Sequence, residues 1–283
     1  MRFVKGHGTE NDFVILPDRD GGLELSAAVV AALCDRRAGI GADGVLRVVP
    51  AKLSAEAVAI VDRAGEAGGP PPRGADWFMD YRNADGGLAE MCGNGLRVFA
   101  RYLVDAGLAE PGEFDVVTRG GLRRVRLEAT GDVTVDMGRP VVGGESWASV
   151  GGTEYDGLVV SMGNPHLACV TGEPVARLDL TAQPGFDPAV FPHGVNVELV
   201  NAVGARRAVM RVYERGSGET RSCGTGAVAA AVAVAAVAGE RTGTWTVEVP
   251  GGLLTVELDE HTSRLTGPAV LVAAGEVPPV ALV

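Results

Sequence analysis

Cys92 and Cys223 are each followed by Gly-x-Gly, as Cys92-Gly93-Asn94-Gly95 and Cys223-Gly224-Thr225-Gly226. A Cys ahead of such a run and a helix-forming segment sits at a helix N-terminus, where backbone N–H groups and the macrodipole favour a thiolate. A free thiol ionises near pH ~8.5, and a helix end lowering that value allows one thiolate and one thiol near neutrality. Two thiols facing one substrate suit a reaction in which a base takes a proton from carbon and an acid returns one to the opposite face. That reaction is racemisation or epimerisation. The N–H groups of Gly93, Asn94, Gly224 and Thr225 are candidates to bind a carboxylate and stabilise charge spreading onto it. A lone buried Cys is commonly an inert packing residue; two at equivalent positions of a duplicated segment point to chemistry instead.

The duplication is legible without a gap. Residues 79–128 lie over 210–259, because Cys223 minus Cys92 and Gly251 minus Gly120 both give 131. Each copy reads as strand, polar Gly-rich loop, Cys-Gly-x-Gly, helix, strand, Gly-Gly turn, strand. The expected strands are 115–118 with 123–128, and 246–249 with 253–258. The first helix, after Gly95, groups Leu96, Phe99 and Leu103 on one face and leaves Arg97 and Arg101 elsewhere. The second, from Ala227 to Ala238, has no polar face and must be enclosed on every side. Upstream, Asn11-Asp12-Phe13 corresponds to Asn164-Pro165-His166, and the first copy carries extra residues between 50 and 76. Within these, Gly65 to Gly74, with Pro70-Pro71-Pro72, reads as an exposed surface loop.

The expected fold is therefore α/β: two homologous domains, each a curved, mostly antiparallel sheet or barrel around a central helix, related by a pseudo-twofold. The domains are placed at 1–137 and 138–269, with 270–283 a candidate to return to the first.

A net charge of −11 and no basic patch argue against a nucleic-acid partner. The two lysines, Lys5 and Lys52, stand in no Gly/Ser-rich loop, which disfavours a pyridoxal Schiff-base enzyme. The longest uncharged apolar run, 227–238, is too short for a membrane span of ~20 residues. The N-terminus lacks a signal-like stretch, so the cytoplasm is the expected compartment, with reduced thiols. Cys34 and Cys169 read as core, and four scattered histidines make no metal site. Gly39-Ile40-Gly41-Ala42-Asp43-Gly44 matches a dinucleotide fingerprint but follows a helix and precedes a strand, the reverse of the order such a site needs.

Several motifs together are specific: His7-Gly8-Thr9-Glu10-Asn11-Asp12-Phe13; Asn83-Ala84-Asp85-Gly86 leading to Met91-Cys92; Gly163-Asn164-Pro165-His166; and Glu214-Arg215-Gly216 leading to Ser222-Cys223. On these the chain resembles the diaminopimelate epimerase family over nearly its whole length. The resemblance implies cofactor-independent conversion of LL- to meso-diaminopimelate in lysine and peptidoglycan precursor biosynthesis, in a homodimer. It implies Cys92 and Cys223 as the acid-base residues and places Asn11, Asn83, Asn164, Asn196, Glu214 and Arg215 around the substrate. Physical logic agrees: Arg215 is the best fork donor for a distal carboxylate, Glu214 can accept from an ammonium, and amides serve either end. Asn83 and Glu214 each stand nine residues before a Cys, so a symmetric fold carries asymmetric charge. The resemblance also puts a substrate-side loop at Gly39 to Gly44, where many family members have Gln in place of Gly44.

Plainer readings exist for each residue. An Asn beside Gly commonly serves a turn, Glu214 and Arg215 could be a solvated pair, and His166 could be structural. A proline or hydroxyproline racemase would keep both cysteines but not the distal clamp. A thiol oxidoreductase would place its cysteines as CxxC. A cysteine hydrolase leaves the second Cys-Gly-x-Gly unexplained, and a binding module predicts no turnover.

Overall fold

The computed structural model describes residues 1–66 and 72–278. These fall into two compact units: Met1–Val135 with the chain from Pro268 onward, and Asp136–Gly267.

In the first unit the strands run, neighbour to neighbour, Val270–Glu276, Arg2–Gly8, Asn11–Pro17, Gly44–Pro50, Trp77–Asn83, Glu113–Thr118, Gly121–Leu127 and Val133–Gly138. Neighbours are antiparallel except at two places: Asn11–Pro17 beside Gly44–Pro50, and Trp77–Asn83 beside Glu113–Thr118. The second unit repeats this order with Val141–Val150, Thr153–Ser161, Pro165–Val170, Asn196–Gly204, Arg207–Glu214, Gly243–Val249, Gly252–Leu258 and Ser263–Gly267. Its parallel pairs fall at the equivalent places. Phe13 pairs with Gly44 in one unit and His166 with Asn196 in the other, so these four positions correspond two by two, and Leu46 corresponds to Glu198.

Four helices are described: α1 (Ala27–Cys34), α2 (Ala55–Glu66), α3 (Gly93–Asp105) and α4 (Gly224–Val237). α3 packs on strands from both ends of the first sheet's order, and α4 does the same in the second. A helix can touch distant strands of one sheet only if the sheet curves around it. Residues 224–235 of α4 are buried on all sides, as its Ala/Val composition requires.

Three expectations change. Both central helices start at the glycine directly after Cys, so Gly-x-Gly forms the first turn instead of preceding it. Arg97, assigned away from the apolar face of α3, is fully buried. The segment between 50 and 76 is not simply a surface loop: α2 occupies 55–66 and packs Ala57 and Ile60 against Phe78 and Val117. Arg119 forks Glu56 at 2.9 and 3.1 Å and fastens the helix further. Residues 67–71, including Pro70 and Pro71 of the expected loop, lie outside the described residues, as do 279–283 of the expected last strand.

The glycine-rich stretch after α1 closes that helix. Ile40 and Gly41 donate backbone N–H groups to Leu33 O at 2.9 and 3.0 Å, and Ala42 to Cys34 O at 3.1 Å. A Cβ on Gly39 would lie 2.0 Å from Ala32 O, so the wrap needs glycine there. At Gly44 a Cβ would lie 2.6 Å from Arg82 O and 2.7 Å from Tyr81 Cε2, so the sheet has no room for a side chain as it stands.

Candidate active site

Each unit builds one polar centre at the first turn of its central helix. In the first, Cys92 is the N-cap of α3 in extended backbone, and its Sγ accepts from Gly95 N at 3.4 Å. The Cys92 thiol donates to Asn11 Oδ1 at 3.7 Å, and Asn94 Nδ2 donates to the same oxygen at 3.2 Å. On its other side Asn11 Nδ2 donates to Asp43 Oδ2 at 2.7 Å, and Arg36 holds Asp43 Oδ1 at 2.6 Å. Arg36 also forks Asp12 at 3.0 and 2.7 Å; with Lys5, it holds that carboxyl near 2 against the opposing pull of burial.

Beneath Asn94 lies Arg97, whose Nη2 donates to Asn94 Oδ1 at 2.6 Å and Thr9 Oγ1 at 3.1 Å, and whose Nη1 donates to Pro268 O at 2.6 Å. Burial pulls the guanidinium down to about 10, opposed by the nearby Cys92 and Asp132, so it stays cationic at neutral pH. Thr9 and Glu10 form the hairpin turn before Asn11 with φ of 50° and 62°. Left-handed backbone at two residues with full side chains costs about 1–2 kcal/mol each. Such strain persists where surrounding contacts over-determine it, and Arg97 on Thr9 is such a contact. Asn83 is exposed at the end of its strand, and its backbone closes a turn with Gly86 and Gly87.

In the second unit Cys223 caps α4 in the same way, its Sγ accepting from Gly226 N at 3.4 Å and meeting Thr225 Oγ1 at 3.4 Å. Asn164 Nδ2 reaches Thr225 Oγ1 at 3.5 Å, while Asn164 Oδ1 meets His166 Nε2 at 3.1 Å. His166 Nδ1 in turn meets Glu198 Oε1 at 2.7 Å, with both side chains fully buried. Glu214 is half-buried and accepts from Thr220 Oγ1 at 2.5 Å. Burial pushes Glu214 and Glu198 above the ordinary carboxylate range.

Burial, then Glu214 and Glu198, push the Cys223 thiol well above its ordinary value, against the smaller opposing help of Thr225 and Gly226 N–H. The expectation that a helix end lowers this thiol's pKa therefore fails for Cys223. Two partial charges at a helix end do not offset full desolvation next to two carboxylates.

Asn196 is 4% exposed and engaged at both ends: Nδ2 donates to Pro165 O at 3.0 Å, and Oδ1 accepts from Arg215 N at 2.9 Å. It thereby places Arg215, whose exposed guanidinium makes one 3.2 Å bond to His193 O. Asn11, Cys92, Gly93 and Asn94 thus meet in one unit, and Asn164, Thr225, Cys223, Gly224 and Glu214 in the other. Thr9, Asp43, Arg97 and Glu198 were not foreseen. For Glu198 a signal was available, since a carboxylate inside Val197-Glu198-Leu199-Val200 interrupts a run that reads as buried strand. Among the described residues, no three His, Cys, Asp or Glu are grouped to hold a metal, and no helix is long and apolar enough to cross a membrane.

A family model described as diaminopimelate epimerase matches residues 3–143 and 158–276. A diaminopimelate epimerase of Thermobifida fusca is 57% identical over 277 residues, covering 98% of each chain. Another, of Mycolicibacterium smegmatis, is 54% identical over 288 residues, covering 99% of this chain and 97% of the relative. In fold, a solved phenazine biosynthesis protein of the PhzF family from Bacillus anthracis is similar, with a TM-score of 0.67 at 16% identity, covering 98% of this chain and 99% of that one. With a family model matching most of its length and relatives above half identity across nearly all of it, the chain belongs to the diaminopimelate epimerase family.

Proposed function

We propose that the protein inverts one α-carbon of diaminopimelate, interconverting the LL and meso forms without a cofactor, with Cys92 and Cys223 as the acid-base pair. The observation that carries this reading is the duplicated N-cap cysteine, repeated on equivalent helices but set in unlike charge. Cys223 lies against Glu214 and Glu198, which disfavour its anion, and Cys92 lies near a buried guanidinium, which favours one. In the free enzyme this contrast leaves the proton on Cys223: the Cys92 thiolate takes the α-hydrogen as a proton, and the Cys223 thiol delivers its own to the opposite face. For the other isomer the roles exchange. N–H groups of Gly93, Asn94, Gly224 and Thr225 stabilise the carboxylate as charge delocalises onto it.

The remaining substrate contacts fall to Asn11, Asn83, Asn164, Asn196, Glu214 and Arg215, with Arg215 taking the distal carboxylate. This last contact separates the reading from a proline racemase of similar fold, whose substrate has no second amino-acid end. By family resemblance the enzyme works as a cytoplasmic homodimer in lysine and peptidoglycan precursor synthesis.

The test is turnover of LL-diaminopimelate by purified protein without added cofactor, in deuterated water, followed by chiral chromatography and mass spectrometry. Solvent deuterium is expected in the inverted product from the first turnovers, because the delivering thiol equilibrates with solvent. Early product that keeps its original α-hydrogen would overturn the two-base assignment. Arg215→Ala is expected to raise KM on the order of tenfold or more through loss of a charge-assisted pair, with the melting curve unchanged. Unchanged KM would remove Arg215 from the distal end.

A further inference from the structure

Asn11 and Asn164 occupy equivalent places, at or just before the start of the strand whose next neighbour is parallel, yet different groups hold their amides. Asp43 faces Asn11 with a carboxylate, and a carboxylate in the Arg36 fork only accepts. Asn11 must therefore turn its NH2 to Asp43 and its carbonyl oxygen to Cys92. Asn94 agrees with this sense, since Arg97 occupies its Oδ1 and leaves its NH2 to donate to Asn11 Oδ1.

The second unit fixes the opposite sense. His166 and Glu198 are fully buried, so the pair is least costly when it carries no net charge. Net neutrality without an unpartnered buried hydroxyl at Glu198 Oε2 has two forms: imidazolium with carboxylate, or carboxylic acid donating to Nδ1 with an imidazole protonated at Nε2. In both, Nε2 bears a hydrogen and donates to Asn164 Oδ1, leaving the Asn164 NH2 to point at Thr225. The net-anionic pair, or an acid protonated at the unpartnered Oε2, would strip Nε2 and let the amide turn; burial opposes the first, and the missing partner of a buried hydroxyl opposes the second.

We propose that Asp43 and Glu198 are positioning residues that hold two equivalent asparagines in opposite amide orientations, so that Asn11 presents an acceptor beside Cys92 and Asn164 a donor beside Thr225. Building on the epimerase reading, the acceptor suits the substrate's ammonium and the donor its carboxylate. The two amides then fix on which side of the α-carbon each group sits, and so which hand enters each half of the reaction.

The orientation at Asn11 is tested without turnover. The rate of Cys92 alkylation by iodoacetamide is followed against pH by peptide mass spectrometry in the full-length protein, wild type and Asp43→Asn. An amide at 43 frees Asn11 to turn its NH2 toward sulfur, which favours the thiolate. The Cys92 profile is expected to move down by about one pH unit, a tenfold faster reaction at fixed pH below the transition. Cys34 and Cys169 are expected to stay unreacted, which separates this effect from general loosening. If Asp43→Asn does not fold, Asp43→Ser, which puts a hydroxyl able to donate where the acceptor-only carboxylate stood, is expected to shift the profile the same way by less. An unmoved Cys92 profile in a folded variant would overturn the proposal even if the enzyme is an epimerase. Conversely, the shift would stand if diaminopimelate were not turned over.

The orientation at Asn164 is tested by a double-mutant cycle on KM for diaminopimelate. Asn164→Asp keeps an acceptor for His166 but replaces the outward donor, and Glu198→Gln lets His166 lose its Nε2 hydrogen. Each is expected to raise KM on the order of tenfold, and the double variant no further than Asn164→Asp alone. Additive losses would show that Glu198 acts on the site by another route and would overturn its role as a positioning residue.

Discussion

The first turns of α3 and α4 have the same backbone and opposite chemistry. Under Gly95 lie Phe13 and Leu46, whose carbons are 3.4 Å from where a Cβ would be; under Gly226 lies Glu198, whose Oε1 would be 2.7 Å away. One helix start thus rests on hydrocarbon with a guanidinium further along its helix, and the other rests on a buried acid. Two equal cysteines could each bind a proton equally well, and nothing would bias which one holds it. The lesson is that the repeated helix start supplies the geometry, and the unlike residues beneath it bias which thiol holds the proton.

The largest way to break this contrast is to remove a thiol. Cys92→Ala and Cys223→Ala are each expected to lower kcat for epimerisation on the order of 10³-fold or more, the loss of one acid-base partner. Their melting curves should stay close to wild type. The two variants should differ in residual chemistry, with α-hydrogen exchange retained from opposite stereoisomers, as read by deuterium incorporation. Full activity in either variant would remove that Cys from the mechanism.

Next are the residues under the helices. Glu198→Ala leaves His166 Nδ1 unpartnered and is expected to cost about 3 kcal/mol in urea unfolding. Leu46→Ala, its equivalent, opens an apolar cavity and is expected to cost about the same. Stability should not separate them, but catalysis should: Leu46→Ala keeps its pH profile, while Glu198→Ala moves the Cys223 alkylation profile to lower pH. Identical profiles would mean that Glu198 is merely packing.

The core thiols give a milder test of environment. Burial raises Cys34 from 9.0 to about 11 and Cys169 from 9.0 to about 12. Above pH 9 the unfolded thiols lose protons that the folded ones keep, so the folded state binds more protons and stability falls as pH rises. The slope is about 1.4 kcal/mol per pH unit for each thiol until its folded pKa is passed. Urea midpoints at pH 8, 9.5 and 10.5 should decline in that order, and Cys169→Ala should flatten the decline. A midpoint independent of pH would contradict the buried neutral thiols.

Smallest is the glycine pair. Gly226→Ala forces a methyl group onto the Glu198 carboxylate and is expected to cost about 1–3 kcal/mol. Gly95→Ala finds ordinary contact distance, and the gain in helix propensity leaves stability within about 1 kcal/mol of wild type. Equal effects would mean that the two helix starts are packed alike.

Much of this was readable in advance for a physical reason. The repeat, the strands around each Gly-Gly turn and the enclosed Ala/Val helix depend on local periodicity, which sequence carries directly. Cys34 and Cys169 were placed in the core on the same ground, and both are buried. Arg97 was not legible, because its burial depends on Thr9 and Pro268, which are 88 and 171 residues away in sequence. Nor was the raised pKa of Cys223, because helix-end capping is local whereas Glu198 arrives from another strand. α2 was not legible, because the glycines and prolines that follow it signal a loop more strongly than Ala57, Ile60 and Val61 signal a helix face.

The strand Val270–Glu276 has a bearing on how the molecule is made. It pairs with Arg2–Gly8, which lies before the second unit in the chain, and Pro268 supplies the carbonyl that receives Arg97. Asp136–Gly267 is continuous and emerges before either. The second unit therefore has all its strands while the first still waits for its closing one. Until then the Arg2–Gly8 edge stays open and the Arg97 guanidinium lacks its carbonyl. In the order of synthesis, all strands around Cys223 are made before the last strand around Cys92.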